Sequence, residues 1–334
     1  MQIDIKTADI KPTRNTFDHV ARRLGQDKPA SRYQEATLDI QPETNFHYRP
    51  LWDPEHLLYD PRRTAIEMED WYAFRDPRQY YYGTWTITRS RQQDHMDKNF
   101  KFFEKRRLVE VMPAEWREKV AKLLVPLRHA EYTANLNNTY MSAYGYGTAI
   151  TQACLFSALD HLGIAQYLSR IGLAVCDGDT GALDEGKQAW IEDEMWQPLR
   201  KLCEDMLVTK DWFELFVVQN LVLDGMLYPL AYDRFDTAIS RHGGSALAML
   251  TEFALEWFGE SSRWVDASLK TAAAESEKNK AQLEQWADAW TGRVCEALTP
   301  LARAEFGDEG DTTLAEIRGE LVARAKKKSG LDIA

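Results

Sequence analysis

Apolar residues recur at helical spacing along most of the chain from about Asp94 onward. Trp116, Val120, Leu123, Leu124 and Leu127 fall at i, i+4, i+7, i+8 and i+11, which places one apolar stripe on one helix face. The segment from Leu127 to Ile171 continues as helix, with a bend expected at the Gly145–Gly147 pair. CDGDTGALDEG (176–186), rich in Gly and Asp, predicts a loop. Helices then follow over Trp190–Leu207 and Trp212–Ile239. The middle of the second, FELFVVQNLVLDGMLYPL, is apolar on nearly every side, as a helix at the centre of a bundle should be, and Pro229 predicts a kink in it. ALAMLTEFALEWFGESSRW (246–264) supplies the next helix and Ser262–Leu298 a further, more charged one. Thr313 with Glu316 three residues on predicts a capping box for the last helix, which carries Leu314, Ile317, Leu321 and Ala325.

The opening of the chain has a different pattern. Seven of the twelve prolines lie between Pro12 and Pro77, and each removes a backbone donor and disfavours helix at the residue before it. An extended arm is therefore predicted over residues 1–93, a helical bundle over 94–300, and a C-terminal helix and tail over 301–334. WYAFRDPRQYYYGTW (71–85) carries seven aromatics, too many for a solvated linker. Trp71, Tyr72, Phe74, Tyr80, Tyr81, Tyr82 and Trp85 must be buried, either on the chain's own bundle or against another chain, and they are the candidate partner contacts.

Composition narrows the classes of function. The net charge of −11 argues against nucleic acid or an anionic membrane surface as partner. Lys326, Lys327 and Lys328 form only a short basic helix end. No run approaches the roughly twenty apolar residues of a membrane span. The four cysteines are scattered without a C-x-x-C, which predicts buried, reduced thiols. The polar opening MQIDIKTADIKPTRN has no signal-peptide character, so a soluble, cytoplasmic protein is expected.

A helical bundle raises one chemistry in particular, a dinuclear metal centre built from a carboxylate on each of two helices and E-x-x-H on each of two others. The residues three before the seven histidines are Thr16, Thr44, Asp53, Gln92, Pro126, Ala158 and Ile239, so no E-x-x-H exists. DPEH (53–56) is the one acidic case and lies in the proline-rich arm. Carboxylates nevertheless stand where a bundle site would place them: Glu131, Asp160, Asp224 and Glu256. Asp224 is an acid within an apolar helix, and a buried carboxylate needs a partner or a proton. Glu252, Glu256 and Glu260 also read as an ordinary solvated stripe beside Leu250, Phe253 and Trp257. No phosphate loop, dinucleotide fingerprint or nucleophile elbow is present.

YRPLWDPEHLLYD, YYYGTWTITRSRQQDHMDKNFKFFEKR, EYTANLNNTYMSAYGYGTAITQACLFSALDHLGIAQYLSRIG and DWFELFVVQNLVLDGMLYPLAYDRF together resemble the β subunit of the hydroxylase component of bacterial multicomponent monooxygenases, with phenol hydroxylases the nearest group. The resemblance implies an all-α, ferritin-like bundle without a metal site. It sets Glu131 and Asp224 against the single glutamates of the iron-bearing α subunit, and Asp160 and Glu256 near the starts of its two E-x-x-H motifs. Gly163 and Gly259 then stand in place of the histidines, and His161 falls off ligand spacing. Implied partners are an α subunit holding dinuclear iron, a small γ subunit and a second αβγ protomer, served by a regulatory protein and an NADH reductase. The implied reaction is phenol to catechol with O2 and NADH, run in α, with no cofactor in this chain. Three alternatives remain open: the β subunit of a related toluene monooxygenase, an independent ferritin-like oxidase using Glu131, Asp160, Asp224, Glu256 and His161, and a metal-free helical binding protein.

Overall fold

A computed structural model describes residues 15–26, 28–43 and 48–334, except the side chains at positions 242 and 243. Parts of the predicted arm, and His47 within it, lie outside the described residues. Among those residues the regular structure is helical throughout. We label the helices α1 (Asp18–Leu24), α2 (Arg32–Thr37), α3 (Tyr82–Lys105), α4 (Ala114–Leu123), α5 (Leu127–Tyr144), α6 (Thr148–Val175), α7 (Gly181–Glu192), α8 (Gln197–Leu207), α9 (Trp212–Ile239), α10 (Ser245–Glu275), α11 (Glu277–Phe306) and α12 (Gly310–Arg324).

Four of these make the central bundle. α5 and α6 form a hairpin about the Gly145–Gly147 corner, with Asn135 Nδ2 donating to the Ala158 carbonyl at 2.7 Å. α9 and α10 form a second hairpin about the π-helical turn Ser240–Gly244, with Thr251 donating to Asp236 at 3.2 Å near the turn and Tyr228 stacked on Phe258 farther along. The long excursion through α7 and α8 joins the two hairpins, which is the single-crossover arrangement of ferritin-like bundles. α3 lies across α6 and α10, while α11 and α12 cover α9, tied by Trp290 Nε1 to Glu214 at 2.8 Å and by Arg234 to Glu320 at 2.5 Å.

Several boundaries differ from those read in the sequence. α3 begins at Tyr82, so the helical part starts before residue 94; its many charged positions and weak apolar stripe hid it. α10 runs unbroken through Ser262 to Glu275, and the break falls at Ser276, whose hydroxyl accepts from Asn279 N at the start of α11. α11 then passes the expected boundary at residue 300. α12 starts at Gly310, without a side-chain cap from Thr313. Pro229 does not interrupt α9. The helix absorbs it by widening to π geometry over Pro229–Arg234, as it also does over Val217–Leu223. α9 is in fact long and apolar enough to cross a membrane, but 94% of its apolar window is buried inside this chain. All four cysteines are free thiols.

The arm folds back on its own bundle. Trp71 packs on Trp212 at 5.6 Å and on Tyr146 at 6.0 Å, and Phe74 packs on Phe213 at 6.1 Å. Gly147, at φ +86°, lets Trp71 lie against the α5–α6 corner, since a Cβ there would meet Trp71 Cβ at 2.9 Å. Asn279 clips the arm by donating to the Glu67 carbonyl at 2.7 Å and accepting from Glu67 N at 3.1 Å. Trp71, Tyr72, Phe74 and Tyr80 are therefore buried in this chain's own core. Of the seven candidate partner contacts, Tyr82 is exposed and Tyr81 and Trp85 are half-buried.

Candidate functional site

At the centre of the four-helix bundle, Glu131 of α5, His161 of α6 and Asp224 of α9 converge, all nearly solvent-free. His161 Nδ1 lies 2.7 Å from Glu131 Oε2, and His161 Nε2 lies 3.5 Å from Asp224 Oδ2. Tyr228 OH donates to Glu131 Oε2 at 3.0 Å, and Gln219 Nε2 donates to Asp224 Oδ1 at 2.8 Å. Gln219 in turn accepts from Asn137 at 2.9 Å, and Asn138 and Asn220 exchange side-chain hydrogen bonds at 3.2 and 3.3 Å. The π-helical turn at Val217–Leu223 belongs to this arrangement: adjacent residues Gln219 and Asn220 both face inward there, toward Asn137 and Asn138.

The electrostatics follow from burial and from mutual charge. Burial pushes the Glu131 carboxyl up, and the neighbouring Asp224 charge adds to the rise against the hydrogen bonds from His161 and Tyr228. Burial alone would lower the His161 pKa, but the Asp224 and Glu131 charges and hydrogen bonds overcome it and raise it to about 10. Burial also lifts the Tyr228 phenol well above its usual value. The two acids thus face one cation, the pairing that a buried carboxylate requires.

Asp160 belongs to a second constellation. It points away from the centre and receives four donors: Arg89 Nε and Nη2, each at 2.7 Å, Trp85 Nε1 at 2.9 Å and Trp257 Nε1 at 3.0 Å. Arg89 also bonds Glu260 at 2.9 Å. The Trp257 ring separates the two constellations, with its centroid 4.7 Å from that of His161 at an interplanar angle of 68°, and 5.0 Å from that of Tyr228. Arg89, Trp257, Tyr228, Gln219, Asn137 and Asn138 were not among the candidates from the sequence. The polar pairs Asn137–Asn138 and Gln219–Asn220, each inside a helical run, were the available signal.

Glu256 is exposed on the outer face of α10, and so is Glu252, whose Oε2 lies 3.8 Å from His95 Nε2. Gly163 and Gly259 face outward as well, and an added Cβ on either would meet nothing within 4 Å. These glycines therefore do not mark lost histidine positions. The inward pairs at three-residue spacing are Ala158 with His161 on α6, and Ala254 with Trp257 on α10. His161 stands at ligand spacing after all, but alanines occupy the places where bridging glutamates would be needed, and an indole fills the second imidazole's place. Such a donor set does not fit a dinuclear metal centre. Among the described residues no group of three or more His, Cys, Asp or Glu is arranged to hold a metal ion. The arm's His56 pairs with Asp53 at 2.9 Å, and Asp53 also binds Arg63 at 2.5 Å.

Residues 52–276 match the family described as Methane/Phenol/Alkene Hydroxylase, and the chain belongs to that family. It is 50% identical over 98% of its length, and 98% of the relative's, to the phenol 2-monooxygenase oxygenase component DmpL of Pseudomonas sp. (strain CF600). It is also 26% identical to the hydroxylase component subunit beta of the toluene-4-monooxygenase system of Ectopseudomonas mendocina, over 89% of this chain and 92% of that one. Its fold superposes on a chain of the xenon-pressurised phenol hydroxylase from Pseudomonas sp. OX1 with a TM-score of 0.91 at 50% identity, covering 98% of this chain and 99% of that one.

Proposed function

We propose that this chain is the non-catalytic β subunit of a phenol hydroxylase, a cytoplasmic assembly that converts phenol to catechol with O2 and NADH. The chemistry belongs to a dinuclear-iron α subunit. This chain braces that subunit and helps join two αβγ protomers, which a regulatory protein and an NADH reductase serve. One observation carries the reading: the centre of a bundle of the iron-binding type is closed by the chain's own His161, with alanines at Ala158 and Ala254 in place of bridging acids. Such a bundle cannot run the reaction alone and contributes through its shape.

The surface supports a partner. On α6, Leu155, Leu159 and Leu162 are exposed at i, i+4 and i+7, and on the adjacent α5 Tyr132 and Leu136 are exposed beside them. This face carries no charged side chain between Tyr132 and Thr139 or between Leu155 and Leu162 that is not buried, in a chain of net charge −11. Apolar, charge-depleted faces of that kind mark interfaces. The toluene-hydroxylase alternative is disfavoured by the lower identity, 26% against 50%. Native mass spectrometry with metal counted per chain tests the proposal. Iron confined to a co-purifying larger chain is the expected result, and two iron ions per copy of this chain would overturn it.

A further inference from the structure

The family resemblance leaves unexplained why two acids persist in a bundle whose metal donors are missing. Glu131 and Asp224 come from different helices, are 2% and 3% exposed, and approach His161 from opposite ring nitrogens. A neutral imidazole carries one N–H, so one of its nitrogens would present a lone pair to a carboxylate oxygen. A ring protonated at both nitrogens turns an N–H toward each acid: Nδ1 hydrogen-bonds Glu131 at 2.7 Å, while Nε2, 3.5 Å from Asp224 Oδ2, makes an ion-pair contact and no hydrogen bond. The remaining oxygens do not supply another cation: Asp224 Oδ1 is taken by the neutral Gln219 amide, Glu131 Oε2 also takes the Tyr228 hydroxyl, and Glu131 Oε1 is buried without a partner. Trp257 brings no charge, and its one N–H is donated to Asp160.

We infer that Glu131 and Asp224 form a cation site shaped for a flat, two-donor ring, and that His161 is its resident imidazolium, a positioning residue that holds α5, α6 and α9 in register. The site differs from a metal site in kind. Its two carboxylates sit on opposite sides of a ring, whereas one metal ion bonding both would need each oxygen within about 2.0–2.6 Å of a single point. Emptying the position should therefore create a cavity that selects imidazolium over both a divalent metal ion and an apolar filler of similar size. This inference does not depend on the proposed subunit role.

The test uses the full-length chain with His161→Ala. The thermal midpoint should fall by roughly 10 °C, as when one partner of a buried ionic cluster is removed. Millimolar imidazole should recover a saturable part of the loss and leave the wild-type midpoint unmoved. Benzene, which enters apolar cavities, and MnCl2 should recover none of it. Equal recovery by benzene would show that His161 only fills space, and recovery by MnCl2 alone would show a latent metal site; either overturns the inference, as does an unchanged midpoint. Should His161→Ala not fold, the decisive pair is Glu131→Gln/Asp224→Asn in two backgrounds. The double change should lower the midpoint of the wild-type chain and raise that of His161→Leu, and the same sign in both backgrounds would overturn the inference.

Discussion

Glu305, near the end of α11, is 4% exposed, and neither of its carboxyl oxygens has a hydrogen-bond partner among the described residues. Burial pushes its pKa well above the usual carboxylate range. Its folded-state pKa is raised, so the folded chain holds a proton that the unfolded chain releases above about pH 4.5. The contribution to stability is fully present below that pH and declines as pH rises toward the folded pKa, by about 1.4 kcal/mol for each unit of displacement. Glu305→Gln should accordingly raise the urea midpoint at pH 8 and leave it nearly unchanged at pH 4. His129 titrates with the opposite consequence. Burial, helped by the Arg128 and Lys187 charges, lowers its pKa to about 4 beside Trp190. The unfolded state gains a proton near pH 6.5 that the folded state refuses, so stability is present above pH 6.5 and is lost as pH falls to about 4. His129→Gln should flatten the stability–pH curve in that window, read from denaturation midpoints at half-unit intervals. At this scale the sequence revealed one acid out of place, Asp224 in its apolar helix, and set Glu131 beside it only as one of four candidate carboxylates. It did not reveal which way Asp160 and Glu256 point. Adjacent residues on a helix diverge by about 100°, and an error of one position turns a core ligand into Arg89's partner or a solvated acid.

Helix existence was legible where apolar period was strong, as in α4, α5, α6 and α9, and boundaries were not. α3 carries so many polar residues that its contact faces, around Met96, Phe100 and Phe103, are sparse in any sequence window. The division between α10 and α11 is made by one residue, Ser276, whose extended backbone and capping hydroxyl end one helix and start the next. Asp211 does comparable work at the start of α9. Its Oδ1 accepts from Phe213 N at 2.9 Å and Glu214 N at 3.1 Å, while Oδ2 accepts from Ala65 N of the arm at 2.7 Å. Asp211→Ala therefore removes a cap and an arm tether together. The cap alone is worth about 1 kcal/mol, with an upper range near 2 kcal/mol. The expected outcome is a loss of that size in unfolding free energy, with faster amide exchange around Ala65. A loss confined to α9, with exchange at Ala65 unchanged, would separate the cap from the tether.

For the molecule as a whole, burial of the arm changes how assembly has to be tested. Deleting the first ninety residues would remove Trp71 and Phe74 from the core along with any surface contact, so failure to assemble would follow from unfolding. Trp71→Ala by itself should cost about 3–5 kcal/mol. The exposed leucines of α6 allow a cleaner separation, because they lie outside the core: Leu155 is 42% and Leu159 is 40% exposed, and the inner face of the same helix carries His161, Ile164 and Leu168. Leu155→Glu/Leu159→Glu should leave the unfolding free energy within about 0.5 kcal/mol per site, the usual range for surface changes. Yet it places two charges in the middle of an apolar contact, where an unpaired buried charge costs several kcal/mol. Recovery of co-produced hydroxylase chains on an affinity-tagged copy should therefore fall at least tenfold while the tagged chain itself stays folded. Wild-type recovery with this variant would remove the α5–α6 face as the contact and leave the Tyr82 end of the arm as the surface to test next.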